Sequence, residues 1–374
     1  MENLEMINSL EETYKGKRVL ITGHTGFKGG WLSLWLQLMG AKVFGYSLEA
    51  VHDSVYHSFK LKEKLENEQI DDIRNYEKVR NFIVSVQPEI IFHMAAQPLV
   101  LDSFTDPITT YDTNVMGTVN LLESCKKLKK QCTVIIVTTD KVYKNKEWEY
   151  SYRESDELGG KDPYSASKSC CELVVNSYIS SFFNNGAKWN NIKVCTVRAG
   201  NVIGGGDWSA NRVLPDCIRS ISEQKEIVIR NPNAVRPWQH VLEPLYGYLI
   251  AAMKIYNSVL KDDYYLENSY SYNFGPSQKD NKRVKDLVEE VLKNWDGKYV
   301  ISTNKQVNLE AERLTLAIDK SINELKWMPV LSFEETVAKT VEWYKASFDL
   351  NVDIEDFTIG QILSFCSKLR SLSA

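Results

Sequence analysis

KRVLITGHTGFKG, Lys17 to Gly29, decides how the rest of the chain is read. Lys17 to Thr22 is an apolar, β-rich run of strand length, and Gly23, Gly26 and Gly29 follow at once as a G-x-x-G-x-x-G that opens the helical stretch Trp31 to Met39. Glycines in such a turn allow the tight bend, the approach of backbone to a pyrophosphate and close helix-to-strand packing, while the helix N-terminus favours negative charge. Taken alone, the spacing also fits glycines in an ordinary strand-to-helix turn. Its place near the start of an alternating chain points to a bound dinucleotide, with Gly23, Thr25, Gly26, Phe27 and Gly29 as contacts.

Outward from this segment the alternation continues. Lys42 to Tyr46, Ile90 to Met94, Thr133 to Thr138 and Lys193 to Arg198 have strand character, and Tyr76 to Val86, Asn114 to Leu128 and Pro163 to Phe183 are amphipathic stretches long enough for crossovers. The fold class expected is α/β, a doubly wound parallel sheet of Rossmann type with a smaller, discontinuous C-terminal substrate domain. Residues 1–200 form the dinucleotide-binding domain in this reading, and residues 201–374 mainly the second one. The glycines at 204 to 206 and the prolines at 215, 232, 237 and 244 mark the change of rhythm, and the stretches Leu242 to Leu260 and Tyr272 to Phe274 re-enter the first domain near 242–275.

Composition narrows the function classes. In 374 residues, 45 Lys and Arg stand against 49 Asp and Glu, a net charge of -4 that argues against nucleic acid as a partner. Hydrophobic residues make up 43% and charged residues 25%, as in ordinary globular chains, and no window approaches the roughly 18 apolar residues of a membrane span. The acid-rich start, residues 1–16, has no apolar core of the kind a leader needs, so a cytoplasmic protein with no membrane partner is expected. Seven cysteines without a C-x-x-C and five histidines without ligand spacing predict reduced thiols and no metal site.

Further cofactor contacts are expected at later strand ends, where ligands gather in open α/β sheets: Asp72 and Ile73, then Ala95, Ala96 and Gln97, and Asn114. His93 is taken as a packed strand-end residue. The second strand ends in Tyr46-Ser47 where an NAD-binding turn usually carries Asp or Glu, so Ser47 faces the ribose; NAD is the expected cofactor and NADP stays open. Tyr164 and Lys168, in Tyr-x-x-x-Lys after Pro163, share one helical face, and an ammonium beside a phenol stabilises the phenolate that can take a hydroxyl proton. Thr139, Asp140 and Lys141 emerge where the run from Val134 to Thr138 ends, and their spacing alone is equally that of a solvated charge pair in a turn.

The glycine loop, HMAAQP (93–98), TTDKVY (138–143), DPYSASK (162–168), RAGNVIGGGDW (198–208) and RPWQHV (236–241) together resemble the sugar-nucleotide dehydratase branch of the extended short-chain dehydrogenase/reductases, over nearly the whole chain. Within that branch the dTDP-glucose enzymes carry Glu where Lys141 stands, and the resemblance points to CDP-glucose as the small-molecule substrate. It implies an internal redox elimination. Tyr164, poised by Lys168 and Thr139, would deprotonate the 4-hydroxyl during hydride transfer to NAD. Lys141 in its amine form would then take the C5 proton while protonated Asp140 serves the departing 6-hydroxyl. Gln97, Asn201, Asn211, Arg212, Arg219, Arg230, Arg236 and Trp238 are the substrate contacts it implies, the arginines for pyrophosphate and Trp238 for packing on a ring. A homodimer built through the helices 114–128 and 163–183 is a further implication. Another sugar nucleotide, or a dinucleotide sensor without catalysis, stays open at this point, and the tail from Asp353 to Ala374 carries no assigned role.

Overall fold

The computed structural model describes residues 2–184, 186–260, 270–302 and 313–372. Residues 261–269, inside the re-entrant stretch expected near 242–275, and residues 303–312 and 373–374 of the C-terminal portion lie outside the described residues. Seven parallel strands make the main sheet: β1 Arg18–Thr22, β2 Lys42–Ser47, β3 Asn67–Ile70, β4 Ile90–His93, β5 Cys132–Val137, β6 Ile192–Ala199 and β7 Tyr270–Phe274. Their order is β7-β6-β5-β4-β1-β2-β3. The order reverses between β1 and β4, and in open parallel sheets the crevice at that switch, outside the carboxyl ends, is where ligands bind.

Both faces of the sheet are covered, which is why its strands read as near-continuous apolar runs. Alternate residues divide between two cores: Val19, Ile21, Ile135 and Val137 face one side, and Leu20, Val134 and Ile136 the other. The first core is closed by α1 Glu2–Tyr14, α2 Phe27–Leu38 and, later in the chain, the long Leu242–Leu260 helix; the second by α3 Tyr76–Val86, α4 Gly117–Cys125 and α5 Pro163–Tyr178. In the remaining portion α6 Val213–Ser222 and three two-stranded pairs, Val202–Ile203 with Gln239–His240, Val235–Pro237 with Asn281–Arg283, and Ile227–Ile229 with Tyr299–Ile301, stand beside the sheet.

Four local features differ from, or add to, the reading of the sequence. β3, Asn-Glu-Gln-Ile, is an edge strand whose residues are half-buried or exposed, so it lacks the apolar run that marks its neighbours. The α2 helix starts at Phe27, four residues before Trp31, because the glycine loop supplies its cap at Gly26. The stretches 114–128 and 163–183 contain wider turns, Asp112–Met116 and Ile179–Phe183, at their start and end respectively. The acid-rich start is a helix that buries Ile7, Leu10 and Tyr14, and the Tyr14 hydroxyl donates to Leu249 O at 2.9 Å. No helix among the described residues is long and apolar enough to cross a membrane, and none of their His, Cys, Asp and Glu side chains group as a metal site would.

Candidate active site

The glycine loop caps β1 with backbone that a side chain would obstruct. Gly23 has a φ of +77°, in the left-handed region, and a Cβ there would lie 2.8 Å from Ala95 N; one on Gly29 would lie 2.1 Å from Gly23 O. Gly26, the N-cap of α2, offers no side chain to the first-turn N–H groups, so they stay available to an anion. A pyrophosphate laid across Gly23 to Phe27 fits this uncapped helix end and this close loop. Thr25 Oγ1 donates to Leu48 O at 3.0 Å and is 2.7 Å from Ser47 Oγ, which ties the loop to the end of β2. Thr22 Oγ1 accepts from Met94 N and Ala95 N at 3.1 and 3.2 Å, holding Ala95 and Ala96 at the lip of the crevice.

Not every expected cofactor contact turns a side chain outward. The Asp72 carboxylate is taken up by Arg74, at 2.7 Å to Nη2, and Ile73 is buried with its side chain against Gly117, while Asp72 O accepts from Tyr46 Oη and Ile73 O from Asn120 Nδ2, each at 3.1 Å. Gln97 is expected at both cofactor and substrate, yet its amide is spent inside the protein: Nε2 donates to Thr110 Oγ1 at 2.9 Å and Leu99 O at 3.1 Å, and Oε1 accepts from Leu99 N. Asn114, buried, accepts from Gln97 N at 2.8 Å and donates to Ser167 Oγ at 2.8 Å, so it clasps that loop to α5. His93 is buried as expected, and burial, then the Lys168 charge, pushes its pKa down to about 3.

The proton-transfer groups converge where β5 ends against α5. Asp162 caps that helix, accepting from Ser165 N at 2.8 Å, and Pro163 fills its first turn, so Tyr164 and Lys168 follow on one face. Tyr164 is 9% exposed, and its phenol is pushed up to about 12 by burial, with the Thr139 hydroxyl and Arg212 pulling the other way. Lys168 Nζ donates to Val137 O at 3.1 Å; this anchor to β5, rather than a contact with the phenol expected from the Tyr-x-x-x-Lys spacing, is what the structure gives it. Burial also pulls the Lys168 ammonium below its ordinary value. Thr139, Asp140 and Lys141 form a short turn in which Thr139 Oγ1 donates to Asp140 Oδ1 at 3.0 Å. Asp140 is 2% exposed and its Oδ2 has no hydrogen-bond partner among the described residues, and burial raises its carboxyl against the pull of Lys141, Thr139 and Arg236. A buried carboxyl whose acid form is favoured by burial, beside a lysine, suits general acid work and is not a solvated surface pair.

The substrate-side residues separate into two groups. Arg212, paired with Asp207 at 3.0 Å, acts on Tyr164, and Arg236, 6% exposed, acts on Asp140, so both border the proton-transfer cluster. Asn201 O accepts from Gln239 N at 3.0 Å in the turn beside them. Arg219 and Arg230 instead gather around Asp216: Arg219 donates to Trp208 O at 3.0 Å, and Arg230 reaches Asn211 Oδ1 at 3.2 Å. Trp238 is a correction. Its ring is 3% exposed and its Nε1 donates to Lys282 O at 3.0 Å, so it offers no face for a ligand ring to pack on.

One residue enters the cluster that sequence reasoning passed over. Lys28, inside the glycine loop, is pulled down to about 8 by burial and then by Arg212 and Lys168. Its signal was a charge at the buried start of an apolar helix.

The family model described as GDP-mannose 4,6 dehydratase matches residues 20–340. The chain is 46% identical over 359 residues to the CDP-glucose 4,6-dehydratase of Salmonella typhimurium, covering 95% of each. In fold it is similar to the dTDP-glucose 4,6-dehydratase of Bacillus anthracis solved in complex with NAD, with a TM-score of 0.70, 22% identity and coverage of 89% of this chain and 98% of that one. A UDP-glucose 4-epimerase from Thermotoga maritima, solved with UDP-glucose, superposes with a TM-score of 0.72 at 20% identity over 89% of this chain and 100% of the other.

Proposed function

Because this chain belongs to the GDP-mannose 4,6 dehydratase family, we propose that it is an NAD-dependent enzyme that converts CDP-glucose to CDP-4-keto-6-deoxyglucose and water. The observation that carries this reading is the near full-length similarity to a CDP-glucose enzyme, and the meeting of Thr139, Asp140, Lys141, Tyr164 and Lys168 at one strand end supports it. NAD, held over Gly23 to Gly29, supplies the hydride acceptor for C4 and the hydride donor for C6. Tyr164 takes the proton of the 4-hydroxyl, with Thr139 holding the phenol oxygen. Once C4 is a ketone the C5 proton is acidic, and Lys141 takes it. Asp140, whose acid form burial favours, delivers a proton to the 6-hydroxyl so that it departs as water. Lys168 fixes α5 to β5 and adds positive charge behind the phenol, while Arg212 and Arg236 face the substrate's pyrophosphate.

The test is purified protein with NAD and CDP-glucose, beside dTDP-, GDP- and UDP-glucose, followed by the base-induced absorbance of a 4-keto-6-deoxy product. Product from CDP-glucose alone is expected; silence with all four sugars would overturn the reading. If Arg236 holds the pyrophosphate, Arg236→Ala raises the Michaelis constant for CDP-glucose by about tenfold or more, the worth of one charge-assisted hydrogen bond, and leaves NAD affinity unchanged. Weakened NAD binding in a titration of the variant would instead place Arg236 at the cofactor.

In this reading the protein acts in the cytoplasm, feeding a deoxysugar into a cell-surface polysaccharide such as a lipopolysaccharide O-antigen. It works as a homodimer. Leu101, Phe104, Ile108 and Tyr111, with Leu173 on α5, are large apolar side chains left exposed beside the same helices, which supports a helical interface there.

A further inference from the structure

Beneath the proton-transfer cluster lies a charge pair to which no part of the reaction has been given. Glu172 stands one helical turn beyond Lys168, so Tyr164, Lys168 and Glu172 form a single stripe of α5 facing the sheet. On β6 the positions that meet this helix begin apolar, Ile192 and Val194, and end polar, Thr196 and Arg198. Arg198 grips Glu172 with two bonds, Nε to Oε1 at 2.8 Å and Nη2 to Oε2 at 2.9 Å, and the two side chains are 3% and 1% exposed. Thr138 Oγ1 and Thr196 Oγ1 each donate to the same carboxylate at 2.6 Å. The third arm of the guanidinium leads elsewhere: Arg198 Nη1 donates to Tyr143 Oη at 2.8 Å, and that hydroxyl donates to Asn273 Oδ1 at 2.7 Å.

The placement of these bonds is what matters for chemistry. Thr138 directly precedes, and Tyr143 closely follows, the turn that carries Thr139, Asp140 and Lys141. We propose that Glu172, Arg198 and Tyr143 are positioning residues, a buried clamp that grips both flanks of the Thr139–Lys141 turn and fixes it against the helix stripe bearing Tyr164 and Lys168. This rests on the reaction proposed above. A fork of guanidinium and carboxylate is rigid and directional, which is the property needed to hold an acid and a base against a reacting carbon to within a fraction of an ångström. The clamp also has an electrostatic side. Complete burial would raise the Glu172 carboxyl, but Arg198 and the two threonines hold it below the ordinary range, so it keeps its negative charge. The groups facing Lys168 are Cys171 and Glu172 on its own helix, His93 at the end of β4 and Lys28 in the glycine loop. With His93 neutral, the Cys171 thiol pushed up by burial and Lys28 losing its charge near pH 8, Glu172 supplies the anion that opposes deprotonation of the Lys168 ammonium.

Two variants of the full chain test this. Tyr143→Phe removes the contact to the turn and leaves the Glu172–Arg198 pair intact, so the protein stays folded. It should slow exchange of the substrate's C5 proton with solvent deuterium by about tenfold, the worth of a buried charge-assisted hydrogen bond, with the Michaelis constant for CDP-glucose and single-turnover NAD reduction changed less than about twofold. Glu172→Gln keeps the shape and loses the charge, and should move the alkaline limb of the NAD-reduction profile to lower pH, because Lys168 then gives up its proton sooner. A Tyr143→Phe protein with wild-type exchange overturns the proposal even if its thermal midpoint falls, since a merely structural hydrogen bond would do only that; this variant decides alone if Glu172→Gln does not fold. Wild-type protein that forms no product from CDP-glucose would sink the reaction itself and the clamp with it. Active wild type with unaltered variants would remove only the clamp.

Discussion

Tyr164→Phe should lower the rate of NAD reduction in a single turnover with CDP-glucose by about 10³-fold, within the range that a positioned acid-base group contributes. The phenol oxygen is the base, and the ring left behind still fills the same buried space, so binding of the sugar nucleotide should persist. The sign with pH follows from the phenol's environment. Burial pushes Tyr164 up to about 12, with the Thr139 hydroxyl and Arg212 opposing, so the phenolate is the minor form at neutral pH and its share grows as pH rises. Wild-type NAD reduction should therefore accelerate as pH rises above neutral, until loss of the Lys168 proton brings the alkaline limb, and the phenylalanine variant should lose that rise together with the rate. Stopped-flow absorbance of the reduced cofactor measures both. A variant that reduces NAD at the wild-type rate would take Tyr164 out of the mechanism.

The second large effect is expected at the turn after β5. Lys141→Ala should slow C5 proton exchange with solvent by about 10²-fold, while oxidation at C4 falls by less than about tenfold, because the two steps draw on different groups. Asp140→Asn completes the comparison. Burial raises the Asp140 carboxyl, so its acid form persists above the usual carboxylate range, and the elimination should weaken as pH rises through that raised value. Asparagine cannot supply the proton at any pH, so the variant should still form reduced cofactor and accumulate the ketone without loss of the 6-hydroxyl. Mass spectrometry of the sugar after quenching in deuterium oxide separates these outcomes. Unchanged C5 exchange in Lys141→Ala would reassign the base.

How much of this was legible beforehand depended on burial. Strands β1, β4, β5 and β6 are covered on both faces, so their apolar runs announce them; β3 sits at the edge with polar residues, and nothing local distinguishes Asn67 to Ile70 from a loop. The glycine loop and the Tyr164–Lys168 pair were readable because each needs a fixed residue type at a fixed spacing. What spacing does not reveal is which member of a motif turns toward the ligand. Gln97 and Trp238 lie in segments that border the crevice, but their hydrogen-bonding groups point into the protein because Thr110, Leu99 and Lys282 offer partners there. Lys28 was missed for the converse reason: its neighbours Arg212 and Lys168 come from distant parts of the chain.

The strand order has a consequence for how the molecule comes to exist. Every pairing in the main sheet is parallel, so no two neighbouring strands are joined by a tight hairpin, and each contact must close a long loop before it gains any stabilisation. β1 pairs with β4 across residues 23–89, and β6 finds its outer neighbour only when Tyr270–Phe274 has been synthesised. Until then Cys195, Thr196 and Val197 present an open sheet edge on a nascent chain, a template for pairing with another molecule. Production of the protein should accordingly be sensitive to translation rate and temperature, with slower, cooler synthesis favouring the soluble form over inclusion bodies. The same long-range closures that assemble the crevice from distant segments set the pace at which it can form.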